Sequence, residues 1–405
     1  MKAEHIIVIG GGAAGFFAAI NAAQNNPDCE VTLLEKSSKV LSKVRISGGG
    51  RCNVTHSCFD NSQLVKFYPR GEKELRNAFS RFSVNDTIKW FKQRGVELKT
   101  ETDGRMFPTT DNSETIVNCL VQEAEKAKVN LKLNVDIREI ISNDDETFTL
   151  KANGGGSFKC NKLIIATGGN SKEEAYEWLK KLGHTIVKPV PSLFTFNIPN
   201  NPITQLMGVA VPLAKVKIAG TKLETEGPLL ITHWGMSGPV ILKSSAWGAR
   251  QLSDLNYNFT AIVSWLPKYT EEKIHLAFSD QREDNPAKTI ISNCPFDLPK
   301  RLWEYLVLKA NIAETTRWAD LPKKNAHHLA NHIIKDEYTV AGKTTFKEEF
   351  VTCGGINLKE IDFKTMQSKV ISGLYFAGEV VDIDGITGGF NFQNAWSTAW
   401  LSAQN

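Results

Sequence analysis

The stretch HIIVIGGGAAGFFAAINAAQNNP, residues 5–27, followed by EVTLLEK, residues 30–36, decides the fold. His5–Ile9 is a continuous apolar run rich in Ile and Val, the pattern of a strand buried on both faces. It runs straight into Gly10-Gly11-Gly12-Ala13-Ala14-Gly15, which matches GxGxxG at Gly10, Gly12 and Gly15. Phe16–Ala23 is alanine-rich and helix-prone, and Asn25-Asn26-Pro27 stops it. Glu30–Leu34 reads as a second strand, ending in Glu35-Lys36. Each part has a mechanical role. Gly10 permits the tight turn, Gly12 lets backbone approach a pyrophosphate, and Gly15 lets helix and strand pack closely. The helix start, Ala13-Ala14, offers unpaired amides and a partial positive charge to phosphates. Glu35 lies 20 residues past Gly15, the place for a carboxylate that accepts hydrogen bonds from a ribose diol and repels a 2′-phosphate. The order strand, glycines, helix, strand, acid predicts a dinucleotide site for FAD or NAD.

Ile6 to Pro27 carries no charge for 22 positions, which by length alone suits a membrane span or signal sequence. The three central glycines and the polar Asn21, Gln24, Asn25 and Asn26 favour the βα unit instead. No other stretch resembles a span, so no membrane partner is expected. The chain has 405 residues, 41% hydrophobic and 23% charged, which excludes a disordered or collagenous protein. Net charge is +4, with basic residues dispersed among acidic ones rather than in a run. That distribution speaks against a nucleic-acid partner. Seven scattered cysteines without a CxxC suit a reducing cytoplasm and write no local zinc knuckle.

The segments beyond the first βα unit separate FAD from NAD. In many NAD dehydrogenases further βα units come promptly. Here Ser37–Cys58 reads as a long polar loop holding Ser47-Gly48-Gly49-Gly50-Arg51-Cys52-Asn53, glycines beside polar groups, as for backbone packed on a flat or phosphorylated ligand. Leu163–Ala166 is a short buried strand followed by Thr167-Gly168-Gly169, the close of a hairpin excursion in two-dinucleotide flavoproteins. Gly373–Phe376 is another strand, ending in Ala377-Gly378-Glu379, where a carboxylate would meet the ribityl chain. Asp384–Gly389 is a glycine-rich turn opening a helix whose Phe392, Ala395, Trp396, Ala399 and Trp400 form a stripe. The start of that helix, from Gly388-Gly389 into Phe390-Asn391, could face the flavin pyrimidine, where negative charge builds on reduction.

With these residues in hand, the chain resembles the BaiN/YhiN-like flavoproteins, NAD(P)/FAD-dependent oxidoreductases also described as aminoacetone-oxidase-like. The segments that carry the resemblance are VIGGGAAG (8–15), SGGGRCNVT (47–55), GRMFP (104–108), ATGG (166–169), THWGMSGP (232–239), CGGI (353–356) and AGEVVDIDGITGGFNFQNAW (377–396). They occur in family order over nearly the whole chain. The resemblance implies an α/β, two-dinucleotide-binding, Rossmann-like FAD domain, discontinuous in sequence, with an inserted β-barrel-like domain and a small helical domain. Two departures stand before the glycine loop: Leu41-Ser42 where a glycine and a basic residue are expected, and Arg45 where an aliphatic residue is usual.

The expected division assigns 1–188 and 353–405 to the FAD domain, 189–266 and 336–352 to the β-rich insert, and 267–335 to the helical part. Proline punctuation at Pro189-Val190-Pro191 opens the insert, and Phe194–Ile198, Val209–Val211, Ala214–Ile218, Leu229–Thr232 and Tyr257–Leu266 read as strands. Thr270–Phe278, Lys300–Lys309 and Lys323–Lys335 read as helices, and Tyr338–Thr352 returns to β alternation.

Other constellations are weaker. His328, His332 and Asp336 share a helical face, but without HExxH no metal site is expected. Gly154-Gly155-Gly156 reads as a hairpin turn, so no second dinucleotide loop is visible. Cys52 has no partner cysteine in motif spacing and reads as packing. His233, in the THWGMSGP turn, is the acid–base candidate; an ordering hydrogen bond within the turn is the alternative. Ser237 is not in a GxSxG elbow.

The expected function is a FAD-dependent oxidoreductase passing hydride through the flavin, from NADH or NADPH as transient reductant to a small organic acceptor such as an enone. The alternatives are an oxidase of a small amine, a non-catalytic flavin redox sensor, or a tRNA-acting flavoprotein.

Overall fold

The structure is a computed structural model and describes residues 4–345 and 351–404. The chain divides into two units, Met1–Ser192 with Phe346–Asn405, and Leu193–Thr345.

In the first unit, the strand His5–Ile9 lies inside a seven-stranded sheet between Glu30–Leu34 and Lys162–Ile165, both parallel to it. Asn130–Lys132 extends the sheet on one side and Leu374–Phe376 on the other, again parallel. The chain thus winds outward in opposite directions from its first strand, which leaves a crevice at the carboxyl ends of the strands. The uncharged N-terminal stretch is this strand plus the helix Ala13–Asn25. Ile6 and Val8 pack in one core with Phe16, Phe17 and Ile20 of that helix and with Trp396 and Ala399 of the last one. A Cβ on Gly15 would sit 1.7 Å from the Gly10 carbonyl oxygen, so only glycine lets the helix pass this close to the turn.

The last helix, Phe390–Ser402, is buried on more sides than its apolar stripe predicted. Several of its buried polar residues are satisfied inside. Thr55 Oγ1 donates to Gln393 Oε1 (2.6 Å), Gln393 Nε2 to Ser397 Oγ (3.0 Å), and Ser397 Oγ to the Phe82 carbonyl (2.7 Å). Gly154-Gly155-Gly156 lies between the antiparallel strands Phe148–Ala152 and Ser157–Cys160, as the hairpin reading expected. The Ser37–Cys58 loop is a correction. It contains the helix Ser42–Gly50, broken inside by extended Ser47 and left-handed Gly48 and Gly49, and the short strand Thr55–His56.

The domain limits also shift. The strand Ile186–Ser192 runs through Pro189-Val190-Pro191 and pairs antiparallel with Val351–Ile356, so these residues belong to the first unit. Pro189 is tolerated where the pairing skips from Val187 to Val190, at a bulge, and Pro191 stands in register opposite Thr352, whose own N–H goes to Glu379. The expected β run Tyr338–Thr352 crosses residues 346–350, which lie outside the described residues.

The second unit holds another seven-stranded sheet. Two expected strands are one, Ala210–Ile218, with a bulge between Val211 and Ala214. Asp336–Ala341 pairs with Asn258–Ser264, whereas Lys343–Thr344, one residue later, pairs with Thr195–Asn197 at the opposite end of the strand order. Gly342 links these two edges, donating to the Tyr257 carbonyl (2.8 Å) and accepting from Asn197 N (3.2 Å). The sheet thereby closes on itself, as a barrel must to remove its edges. The helices Lys300–Lys309 and Lys323–Ile334 are where the sequence placed them, and the first, Glu271–Asp284, runs six residues past the expected end at Phe278. They are not a separate body: Phe278, Trp303, Leu306 and Leu329 share one core with Phe196, Val216 and Val263 of the strands.

Buried Asp336 ties strand to helices. Its carboxylate accepts from Lys309 Nζ (2.5 Å), Trp265 Nε1 (3.2 Å) and the Tyr338 hydroxyl, and meets His332 Nδ1 at 3.1 Å. Burial alone would push this carboxyl up, but the bonds from His332, Lys309 and Tyr338 outweigh it and hold it below the ordinary aspartate value. A lowered acid stabilises the fold above the unfolded pKa and ceases to do so as pH falls through the folded one. Asp336→Asn is therefore expected to cost about 3 kcal/mol at neutral pH. Urea unfolding should show the wild-type excess over this variant shrinking below about pH 4.

Candidate functional site

The site is built on the helix that starts at Ala13. Gly12 is its N-cap, and no side chain caps this end. The first amides of the helix, Ala13, Ala14 and Gly15, have no partner within the helix and are oriented for an anion. The space a Gly12 Cβ would occupy is open. Glu35, at the end of the second strand, accepts from Gly11 N through Oε2 (2.6 Å) and from Ser37 N through Oε1 (2.8 Å). Its carboxylate thus fixes the glycine turn, and each oxygen retains accepting capacity.

A cavity of about 280 Å³ opens at the carboxyl ends of the parallel strands. It gathers Gly10, Glu35, Lys36, Thr167 and Gly168, all expected from the sequence. Arg138 and Tyr176, which the sequence reading did not single out, line it too. Tyr176 accepts from Asn170 N at 2.8 Å, and burial pushes its hydroxyl up to about 12, so it stays neutral. The cavity is of nucleoside size, near the lower end of small-ligand pockets.

A second group lies beside the same helix start. A Cβ on Gly378 would come within 2.9 Å of the Ala14 Cβ, so Gly378-Glu379 abuts the glycine turn. Glu379 pairs with Lys43 Nζ (2.8 Å) and accepts from Thr352 N (2.7 Å). The Thr352 hydroxyl is buried with no hydrogen-bond partner among the described residues, a polar atom ready for a ligand. Asn53 joins the glycine loop to the last helix. Its amide oxygen accepts from Gly389 N (2.9 Å) and its amide nitrogen donates to the Thr55 carbonyl (3.0 Å). A Cβ on Gly389 would fall 2.4 Å from the Thr55 carbonyl oxygen, which explains the glycine. Open amides, an acid at the strand end, a nucleoside-sized cavity and an orphaned buried hydroxyl fit FAD in this unit.

Other expected residues have different local partners. Arg51 is held by Glu101 (2.5 Å) and Asp111 (3.4 Å), with its guanidinium 4.0 Å above the Phe107 ring. Gly50 and Cys52 flank it at positive φ. Cys52 is fully buried, and burial pushes its thiol up to about 12, far from a reactive thiolate. Phe390 stacks on Phe67 (4.4 Å) and His56 (4.7 Å). Asn391 accepts from Gly385 N and donates to the Gly385 carbonyl, which ties the glycine turn together. Gly388 stands at φ +133° in that turn.

The two departures before the glycine loop have local explanations. Leu41 adopts φ 58°, the left-handed region where glycine is at ease, with its side chain buried in the core. The basic residue expected at 42 comes one position later, as Lys43 on Glu379. Arg45 pairs with Glu114.

His233 belongs to the second unit. It is exposed in the turn between Glu224–Thr232 and Gly235–Ser237, edge-on to Trp234 at 4.3 Å. Order within the turn comes from Trp234, whose Nε1 donates to Thr195 Oγ1 (2.9 Å). No helix among the described residues is long and apolar enough to cross a membrane.

The family model for the HI0933-like protein Rossmann domain matches residues 4–405. The chain is 32% identical to a ribosomal RNA dihydrouridine synthase of Escherichia coli, covering 100% of this chain and 98% of that protein. It is 26% identical to a 3-dehydro-bile acid delta(4,6)-reductase of Clostridium scindens, covering 99% and 98%. Among solved structures, a 3-ketosteroid delta1-dehydrogenase from Sterolibacterium denitrificans aligns with a TM-score of 0.53 at 11% identity, over 100% of this chain and 99% of that one, a likeness of fold. The expectation that nucleic acid is no partner has no support from a relative named for ribosomal RNA. The resemblance read from the motifs holds over the full length: this chain belongs to the HI0933-like family of FAD-dependent oxidoreductases.

Proposed function

We propose that this protein reduces a carbon–carbon double bond conjugated to a carbonyl, and that the substrate is a uracil base in ribosomal RNA. Full-length similarity to the ribosomal RNA dihydrouridine synthase carries the reading. The bile-acid reductase supports the same bond chemistry on a small molecule. Both named activities add a hydride and a proton across a C=C polarised by a carbonyl. In uracil, C6 takes the hydride and C5 the proton. FAD, when bound, supplies the hydride, and NADH or NADPH restores it.

The protein's own work is positioning and proton supply. The open amides at Ala13 and Ala14 hold the pyrophosphate, with Gly10, Gly12 and Gly15 clearing its approach. Glu35 and Lys36, with Thr167 and Gly168 across the cavity, hold the adenosine. Glu379 and Thr352 bind the ribityl hydroxyls. Gly50, Arg51, Cys52 and Asn53 shape the loop on the flavin side, and Gly378, Gly388, Gly389, Phe390 and Asn391 set the start of the last helix against it. His233 donates the proton to the substrate carbon. A net charge of +4 is compatible with an RNA ligand but supplies little attraction, so recognition would rest on shape and on base contacts.

Glu35→Ala is expected to weaken FAD binding by about tenfold to a hundredfold, read by flavin fluorescence. His233→Gln should lower the rate of substrate reduction by about a hundredfold or more while leaving flavin affinity and flavin reduction by NAD(P)H unchanged. Deleting the gene should remove dihydrouridine from a ribosomal RNA position, detected by nucleoside mass spectrometry and restored by the wild-type gene. Unchanged RNA, with anaerobic turnover of a steroid-type enone by the purified protein, would replace this substrate with a small-molecule one.

A further inference from the structure

We infer that the helical part of the second unit carries a site for a zinc-like divalent transition metal, formed by Glu271, His275 and His327. Glu271 and His275 are four residues apart on the helix Glu271–Asp284, so they share a face. His327 projects from the helix Lys323–Ile334. The backbone beneath all three is anchored. Ile274 and Ala326, adjacent in sequence to the two histidines, are buried in the same core, and Thr270 caps the first helix by accepting from Lys273 N.

The ligand atoms converge with the right spacing. His275 Nε2 and His327 Nδ1 are 3.2 Å apart, and Glu271 Oε1 lies 3.6 Å from His327 Nδ1 and 3.9 Å from His275 Nε2. A tetrahedral ion bound at ordinary zinc–ligand distances separates neighbouring ligand atoms by about 3.4 Å. The triangle therefore needs only small side-chain rotations to close on an ion. The two imidazole nitrogens face each other at hydrogen-bond distance, so an ion can take the place of that contact. Two nitrogens and one carboxylate oxygen favour zinc and its neighbours over magnesium or calcium. Glu271 and His327 are half exposed, so the ion can enter directly and a water completes its shell. Bound there, the metal would clip the two helices together.

The histidine row singled out in the sequence takes no part. His332 is turned onto Asp336, and His328 is exposed on the same helix. The proposal is independent of the flavin chemistry.

The test uses tag-free, full-length protein stripped with a chelator and titrated calorimetrically with zinc sulfate. A single zinc per chain is expected, with a rise in melting temperature and no comparable heat from magnesium. Cobalt(II) should give the intense visible bands of a four-coordinate site. His327→Ala removes a half-exposed side chain, so it should fold normally by circular dichroism, lose the cobalt bands and weaken zinc by about tenfold or more. Glu271→Gln should weaken it less. Absence of zinc binding, or equal zinc uptake by His327→Ala through the cysteines or elsewhere, would overturn the assignment.

Discussion

The contact on which the first unit depends is the approach of Gly15 to the Gly10 carbonyl. It places the start of the first helix directly over the end of the first strand, with Gly12 as an uncapped N-terminus. This has three consequences in space. The amides of Ala13 and Ala14 are left without partners in the helix at its uncapped start. Glu35, on the neighbouring strand, comes within hydrogen-bond distance of Gly11. Gly378, some 360 residues later in the chain, packs against Ala14 and brings Glu379 to the same end of the sheet. A side chain at Gly15 would displace all of these together.

The second unit is organised by closure. One strand serves two edges, because Gly342 breaks it into a part that pairs with Asn258–Ser264 and a part that pairs with Thr195–Asn197. Asp336 stands at the start of that strand and receives Trp265, just past the strand Asn258–Ser264, and side chains from two helices, so the helical stretch is fastened to the barrel by charge as well as by apolar packing. A buried carboxylate is tolerable only with such partners.

Much of this was legible in local pattern. Strand and helix periods located the βα unit, the Gly154–Gly156 hairpin and the helices of the second unit. The motif order announced a discontinuous FAD domain. What local pattern misjudged has a common cause. The loop 37–58 lacks hydrophobic periodicity, yet its residues 42–46 are helical, because Leu41 and Val44 reach the core while the glycines that come after them turn the chain. The prolines at 189 and 191 looked like a boundary, but one falls at a bulge and the other stands in register opposite Thr352, within a strand. The helical stretch 267–335 looked separate because periodicity shows that a face is apolar, not which surface covers it.

The same division holds for the site. By itself the sequence determined a glycine turn between strand and helix backed by Glu35, because those residues are linked by a short chain segment whose geometry the strand and helix dictate. It also nominated Asn53, Glu379 and Gly389 through motifs far apart in the chain. Only the tertiary structure decided their partners. It set Lys43 and Thr352 on Glu379, held Arg51 between Glu101 and Asp111 over Phe107, sealed Cys52 in the core, and drew Glu271, His275 and His327 into one triangle. Such contacts join residues up to hundreds of positions apart, and their geometry comes from how whole elements pack. No local spacing encodes it.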